Sequence, residues 1–177
     1  MRTFLLISSL LLGSVFCRAQ SYSHTFTGLG GVFGKGFGGE VTLNYNLSER
    51  SFLQGAVYTA VATIDKNDFS IPYSNYSVAG SFYTSIISSH RQTYILSAGL
   101  GPTVGYETVN NGENELTNIV SVEGKSTIIY GAVGGLEFDM LVSEHYSLIV
   151  KSSQFYHVNS DFGTLTNFTG IGLRYYF

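Results

Sequence analysis

The chain of 177 residues carries 9 Lys and Arg against 12 Asp and Glu, with 12% charged residues, 21 Gly, 13 Tyr, 13 Phe, 2 Pro, 1 Cys and no Trp. So few basic side chains argue against nucleic acid as a direct ligand, because neutralising phosphates needs clustered Lys and Arg. Many aromatics and glycines with few charges favour strands and tight turns, and no window after the N-terminus keeps a helical period, so the chain is predicted to be all-β.

The N-terminus reads Met1-Arg2-Thr3, then an apolar run from Phe4 to Phe16, then Cys17-Arg18-Ala19-Gln20. A basic start, a short apolar core and a small residue before a cleavage point describe a secretory signal peptide. Ser8, Ser9, Gly13 and Ser14 interrupt the run, which is too short to cross a bilayer as a helix. Cleavage is expected after Ala19, leaving residues 20–177 as one domain; anchoring through a lipidated Cys17 is the weaker alternative, since Phe16 stands where a small residue is wanted. Loss of Arg2 and Arg18 lowers the basic count from 9 to 7 against 12 acids, a formal charge of −5. Cys17 leaves with the signal, so an exported domain without disulfides must be held by other means, and barrel closure is one.

Eight alternating segments follow. The first spans about Ser23 to Phe33 and the second about Phe37 to Asn46, where Phe37, Val41, Leu43 and Tyr45 oppose Glu40, Thr42 and Asn44. The third, about Ser51 to Ala62, sets Leu53, Val57 and Val61 against Gln54, Ala56 and Ala60, with Phe52 and Tyr58 blurring the parity. The fourth, about Ser74 to Ser88, places Tyr76, Val78, Phe82 and Ile86 opposite Asn75, Ser77, Ala79 and Ser81. In the fifth, about Thr93 to Val109, Tyr94, Leu96, Leu100, Val104 and Tyr106 oppose Ser97, Gly99, Gly101, Thr103 and Gly105; Pro102 cannot donate to a ladder, so a bulge or broken pairing is expected beside it. The sixth, about Thr127 to Met140, sets Ile128, Tyr130, Leu136 and Phe138 against Gly131, Gly135, Glu137 and Asp139. The seventh, about Tyr146 to His157, sets Tyr146, Leu148 and Val150 against Ser147, Lys151 and Ser153. The last, Thr164 to Phe177, puts Ile171, Leu173, Tyr175 and Phe177 on one face and Gly170, Gly172, Arg174 and Tyr176 on the other.

Segments this long, each with one apolar and one small or polar face, suit tilted strands crossing a bilayer. The links at 46–50, 88–92 and 141–145 are short and similar, whereas 63–73, 110–125 and 159–163 are longer, and only the first link, Gly34-Lys35-Gly36, breaks the alternation by being short. Short turns at one end and longer loops at the other are the arrangement of an outer-membrane barrel, and eight strands leave both termini at the short-turn end. Tyrosines near strand ends suit interfacial girdles. The predicted fold is a single antiparallel up-and-down β-barrel of about eight strands. Ile171, Leu173, Tyr175 and Phe177 resemble the C-terminal assembly signal of bacterial outer-membrane proteins.

No catalytic, cofactor or metal site is expected. Gly34 to Gly39 matches G-x-G-x-x-G, but no helix follows, so it reads as a turn between strands. His24, His90, His145 and His157 show no ligand spacing, and His157 with Ser160 lacks an evident oriented acid for acyl hydrolysis. Glu40, Glu137, Asp139, Lys151 and Arg174 all fall on the lumen parity, with Lys151 and Arg174 read as lying on strands that adjoin the acidic sixth. A structural ion-pair network is expected there rather than a proton or ion path, because eight strands leave no open channel.

The hexapeptide Gly105-Tyr106-Glu107-Thr108-Val109-Asn110 follows Y-I-L-S-A-G-L-G-P-T-V at 94–104 and precedes I-Y-G-A-V-G-G-L-E-F-D-M at 129–140 and the terminal G-I-G-L-R-Y-Y-F. From about Ser74 to the end this pattern resembles the TraO family of conjugative transposon proteins of Bacteroides-type bacteria. The resemblance implies a non-enzymatic envelope component of conjugative DNA transfer, with outer-membrane lipid and other transfer proteins as partners. The acidic loop 110–125, with Glu113, Glu115 and Glu123, is the candidate contact surface. Two alternatives share the strand pattern: a general small outer-membrane barrel with an envelope-stabilising or surface-binding role, and a soluble periplasmic barrel whose apolar faces would point inward around an apolar ligand.

Overall fold

In the structure, a computed structural model, residues 23–66, 69–89, 93–109, 115–117, 120–121, 126–160 and 163–177 are described. The expected signal peptide and Cys17 lie outside them. Alternating side chains produce eight long strands: β1 (His24–Phe33), β2 (Gly36–Ser48), β3 (Ser51–Lys66), β4 (Phe69–Ser88), β5 (Tyr94–Val109), β8 (Thr127–Ser143), β9 (Tyr146–His157) and β10 (Leu165–Tyr176). They close in the order β1-β10-β9-β8-β5-β4-β3-β2. Two short strands, β6 (Glu115–Thr117) and β7 (Val120–Ser121), pair with each other inside the loop that joins β5 to β8.

The seam is the pairing of β10 with β1, from Thr25↔Tyr176 to Phe33↔Phe168, all antiparallel. It gives the last strand two neighbours, β1 and β9. At the short-turn end the Phe177 amide reaches the His24 carbonyl at 3.4 Å, and the Tyr175 and Phe177 rings meet edge to face with centroids 5.4 Å apart. At the other end β1 and β2 are joined by Gly34-Lys35, with Gly34 at φ 53°, in the left-handed region that a glycine enters at no steric cost.

The two faces separate as alternation requires. Val41, Leu43, Leu53, Val57, Val78, Phe82, Leu100, Val104, Leu136, Ile171 and Leu173 are exposed on the outside, while Thr25, Thr27, Glu40, Thr42, Asn44, Gln54, Asn75, Ser77, Glu137 and Lys151 are buried inside. An apolar exterior around a largely polar interior is the pattern of a membrane barrel. It is the reverse of the soluble barrel with inward apolar faces, and that alternative fails on this observation. The interior also holds an aromatic cluster towards the long-loop end, with Phe33, Tyr58, Tyr73, Phe155 and Phe168 packed around Leu29 and Ile149. Phe52 and Tyr58, which blur the parity of the third strand, are lumen residues.

Two local departures have physical reasons. Residues 63–66 and 69–73 are not a loop: Thr63↔Pro72 through Lys66↔Phe69 continue the β3–β4 hairpin, because the register set by Val57↔Val78 carries outward past Pro72. Beside Pro102 the β4–β5 ladder is interrupted between Ala79↔Thr103 and Phe82↔Leu100 with its register kept, as expected for a residue with no N–H, while Pro102 still sits opposite Ala132 on β8.

Glycines on the inner face make room for large rings. A Cβ on Gly99 would stand 2.4 Å from the Tyr83 ring, and one on Gly135 would stand 2.6 Å from the Tyr83 hydroxyl. Gly80, which faces outward, has nothing within 4 Å of the same position. Gly99→Val should therefore abolish the heat-modifiable folded band on electrophoresis after refolding into detergent, whereas Gly80→Ala should leave it unchanged.

Candidate functional site

The polar interior is the candidate site, and its geometry follows from strand order. Glu137 on β8 and Lys151 on β9 are direct cross-strand partners. Lys151 nevertheless reaches the opposite wall, where its ammonium pairs with Glu40 on β2 and donates to Gln54 Oε1 on β3 at 2.6 Å. Arg174 on β10 does not adjoin β8, since β9 lies between them. Its partner on β9 is Ser147, and over this small residue the guanidinium reaches Glu137 Oε1 at 2.6 Å and Asp139 Oδ2 at 2.7 Å. The expectation that both cations sit beside the acidic strand is thus corrected for Arg174: the planar fork spans a strand that a short side chain leaves open.

Side chains that the alternation did not single out complete the network. Gln54 Nε2 donates to Glu137 Oε2 at 3.2 Å, joining the two ion-paired groups. Arg174 Nε donates to Thr27 Oγ1 at 2.9 Å, and the Tyr176 hydroxyl donates to Asp139 Oδ2 at 2.7 Å. Lys151 lies 5.5 Å from the Tyr83 ring centroid, and the Arg174 guanidinium carbon lies 5.7 Å from that of Phe52. These aromatic faces stabilise cations that water does not reach. Parity placed Gln54 in the lumen; nothing in one strand shows which opposite wall a long side chain will meet.

Glu107, the third residue of the hexapeptide, is 0% exposed at the long-loop end. It accepts from the Tyr73 hydroxyl at 3.1 Å and from Ser160 Oγ at 2.7 Å, while Asn75 Nδ2 donates to the Tyr73 oxygen at 3.1 Å. Gly105 and Val109 share its inward face, Tyr106 points outward, Thr108 is half-buried, and Asn110 lies outside the described residues. His157 is buried, and among the described residues neither ring nitrogen has a partner, Ser160 included, so no Ser160–His157 bond is there to activate a nucleophile. Among the described residues no three His, Cys, Asp or Glu converge as a metal site.

Between the ion pairs and the aromatic cluster lies a cavity of about 10 Å³ lined by residues including Glu40, Gln54, Tyr58, Ser77 and Lys151. A single water needs ~10–15 Å³ on this measure. This part of the lumen is therefore a packed core with space for nothing larger than water. Ile171, Leu173, Tyr175 and Phe177 all face the exterior, in the apolar band.

Removing one partner of a buried ion pair costs ~3–5 kcal/mol, whereas replacing both by apolar groups is close to neutral. Lys151→Met should therefore lower unfolding stability by that amount in detergent, followed by circular dichroism in urea. Lys151→Met combined with Glu40→Leu should recover most of the loss. Equal destabilisation of the single and double variants would contradict the coupling.

Solved structures with the same architecture are outer-membrane barrels. Ail, the attachment invasion locus protein of Yersinia pestis, shares 11% identity over 87% of this chain and 97% of its own, with a TM-score of 0.55. Neisserial surface protein A shares 12% over 89% and 98%, with a TM-score of 0.56. The N-terminal β-barrel domain of Pseudomonas aeruginosa OprF shares 10% over 87% and 96%, with a TM-score of 0.55. At these identities the likeness is one of fold. No curated protein sequence matches the chain. The family described as "Conjugative transposon protein TraO" matches residues 32–177, which takes the resemblance back from Ser74 into the end of β1. With its hexapeptide on β5 and its terminal strand closing the barrel, the chain belongs to the conjugative transposon protein TraO family.

Proposed function

We propose that the protein is a non-enzymatic barrel of the outer membrane, exported through a signal peptide cleaved after Ala19, that serves as a component of a conjugative transposon's transfer apparatus. The observation that carries this reading is the family match over residues 32–177 on a barrel whose exterior is apolar. The packed interior favours an anchoring and docking role over conduction. In this reading Lys151 and Glu40 hold opposite walls together, and Arg174 ties Glu137 and Asp139 to the closing strand across β9. Partner contact falls to the parts that leave the bilayer, first among them the acidic loop 110–125, of which 115–117 and 120–121 are described.

Replacing residues 110–125 with a short turn in a donor strain should leave the barrel in the detergent-extracted outer-membrane fraction and lower mating frequency. Undiminished transfer on deletion of the whole protein would favour a general envelope barrel instead. Ile171, Leu173, Tyr175 and Phe177 are proposed to act as the assembly signal. Deleting Phe177 should lower the amount of heat-modifiable barrel in the outer membrane more than the loop replacement does.

A further inference from the structure

The outer wall is not uniformly apolar. Asn44, Gln54 and Asn75 are buried in the lumen, whereas Gln154 on β9 and Asn167 on β10 point outward and are exposed. They are direct cross-strand partners, and the next outward pair towards the short-turn end is Ser152↔Thr169. These four residues form one polar patch between Tyr156 and Tyr146 on β9, and the ten residue steps from one tyrosine to the other span the ~25 Å apolar band of a tilted strand. On the other strands the outward residues include Val57, Val78, Leu100 and Val104.

The patch satisfies itself only in part. Ser152 Oγ and Thr169 Oγ1 lie 3.2 Å apart, Thr169 Oγ1 donates to Asn167 Oδ1 at 3.2 Å, and Gln154 Nε2 donates to the Thr166 carbonyl at 3.2 Å. Among the described residues Asn167 Nδ2 and Gln154 Oε1 have no hydrogen-bond partner. An amide donor and an amide acceptor are thus left side by side on the outward wall, one outward position from Tyr156, and hydrocarbon at that wall would offer neither a partner. Of the outward positions paired with the patch, Gly134 on β8 lies beside Gln154, whereas Leu136 on β8 lies beside Ser152 and Val32 on β1 beside Thr169. A small residue beside a polar one lets membrane segments approach closely and bond at that point.

We propose that this face of β9 and β10 is a lateral interface for a second copy of the chain within the bilayer. Two copies related by a two-fold axis along the membrane normal place β10 of one against β9 of the other. Asn167 Nδ2 of each then meets Gln154 Oε1 of its mate, and Thr169 meets Ser152. The contact is isologous and closes after two copies. The groups are uncharged and carry both donors and acceptors, so an identical patch complements them without like-charge repulsion. An anionic lipid headgroup fits less well, because among the described residues the outward face of β8, β9 and β10 carries no Lys or Arg.

The test uses the full chain expressed in outer membranes in a Cys17→Ser background. Thr169→Cys, oxidised with a membrane-permeant copper–phenanthroline complex, should give a cross-linked species of twice the monomer mass, and Val78→Cys on β4, in the opposite wall, should not. The paired substitutions Asn167→Leu and Gln154→Leu should keep heat-modifiable mobility and lose the dimer in sedimentation equilibrium in detergent. Cross-linking to a species of any other mass, equal cross-linking of the two cysteine variants, or no cross-linking at all would overturn the proposal. The cysteine comparison decides the matter even if the leucine variant does not insert.

Discussion

The structure depends on one constraint: in hydrocarbon no backbone N–H or C=O can be left unpaired, and for strands only closure achieves this. The pairing of β10 with β1 is where closure happens, and its register settles the rest. Once Thr27↔Arg174 is fixed, the guanidinium points into the lumen at the height of Thr27, and Glu137 and Asp139 come within reach across β9. A slip of one residue would turn Arg174 to the lipid and Leu173 to the lumen, reversing both faces of the strand. The ion pairs and the apolar band therefore specify the same register from opposite sides of one strand.

The inside has its own logic. Eight strands leave an interior that side chains can just fill. Large rings such as Tyr83 fit where Gly99 and Gly135 give way, and cations such as Lys151 are held between a carboxylate, an amide and an aromatic face. Such a core resists removal of one charge more than removal of a balanced pair. Specificity of closure, rather than added stability, is the gain that buried charge brings here, because each long side chain has its partner on another strand.

Much of this was legible in the sequence because a period of two survives translation into structure without loss. The alternation from Tyr94 to Tyr106 predicts which side chains meet lipid, and Glu40, Glu137, Asp139, Lys151 and Arg174 all point inward as their parity requires. Three things were not legible. Phe52 and Tyr58 obscured the third strand because a narrow lumen takes aromatic rings as readily as lipid does. Residues 63–73 read as a loop because Pro72 and the polar run from Asp65 signal a turn, whereas neighbouring register extends the hairpin through 63–66 and 69–73. The pairing of Lys151 with Glu40 rather than with adjacent Glu137 depends on barrel diameter, which no single segment encodes.

At the short-turn end, the three hairpins share a feature beyond their similar sequences. Each shifts register by one residue just before its turn, between Asn46 and Ser48, between Ser85 and Ile87, and between Leu141 and Ser143. The extra residues are Leu47, Ile86 and Val142, all exposed. A bulged residue belongs to neither face of the ladder, so losing or gaining one there leaves every inward and outward assignment below it intact. Anywhere else in a strand the same change would invert the wall. These three positions are where the chain can lengthen or shorten by one residue without inverting a wall, and the remainder of each strand is held to a fixed count.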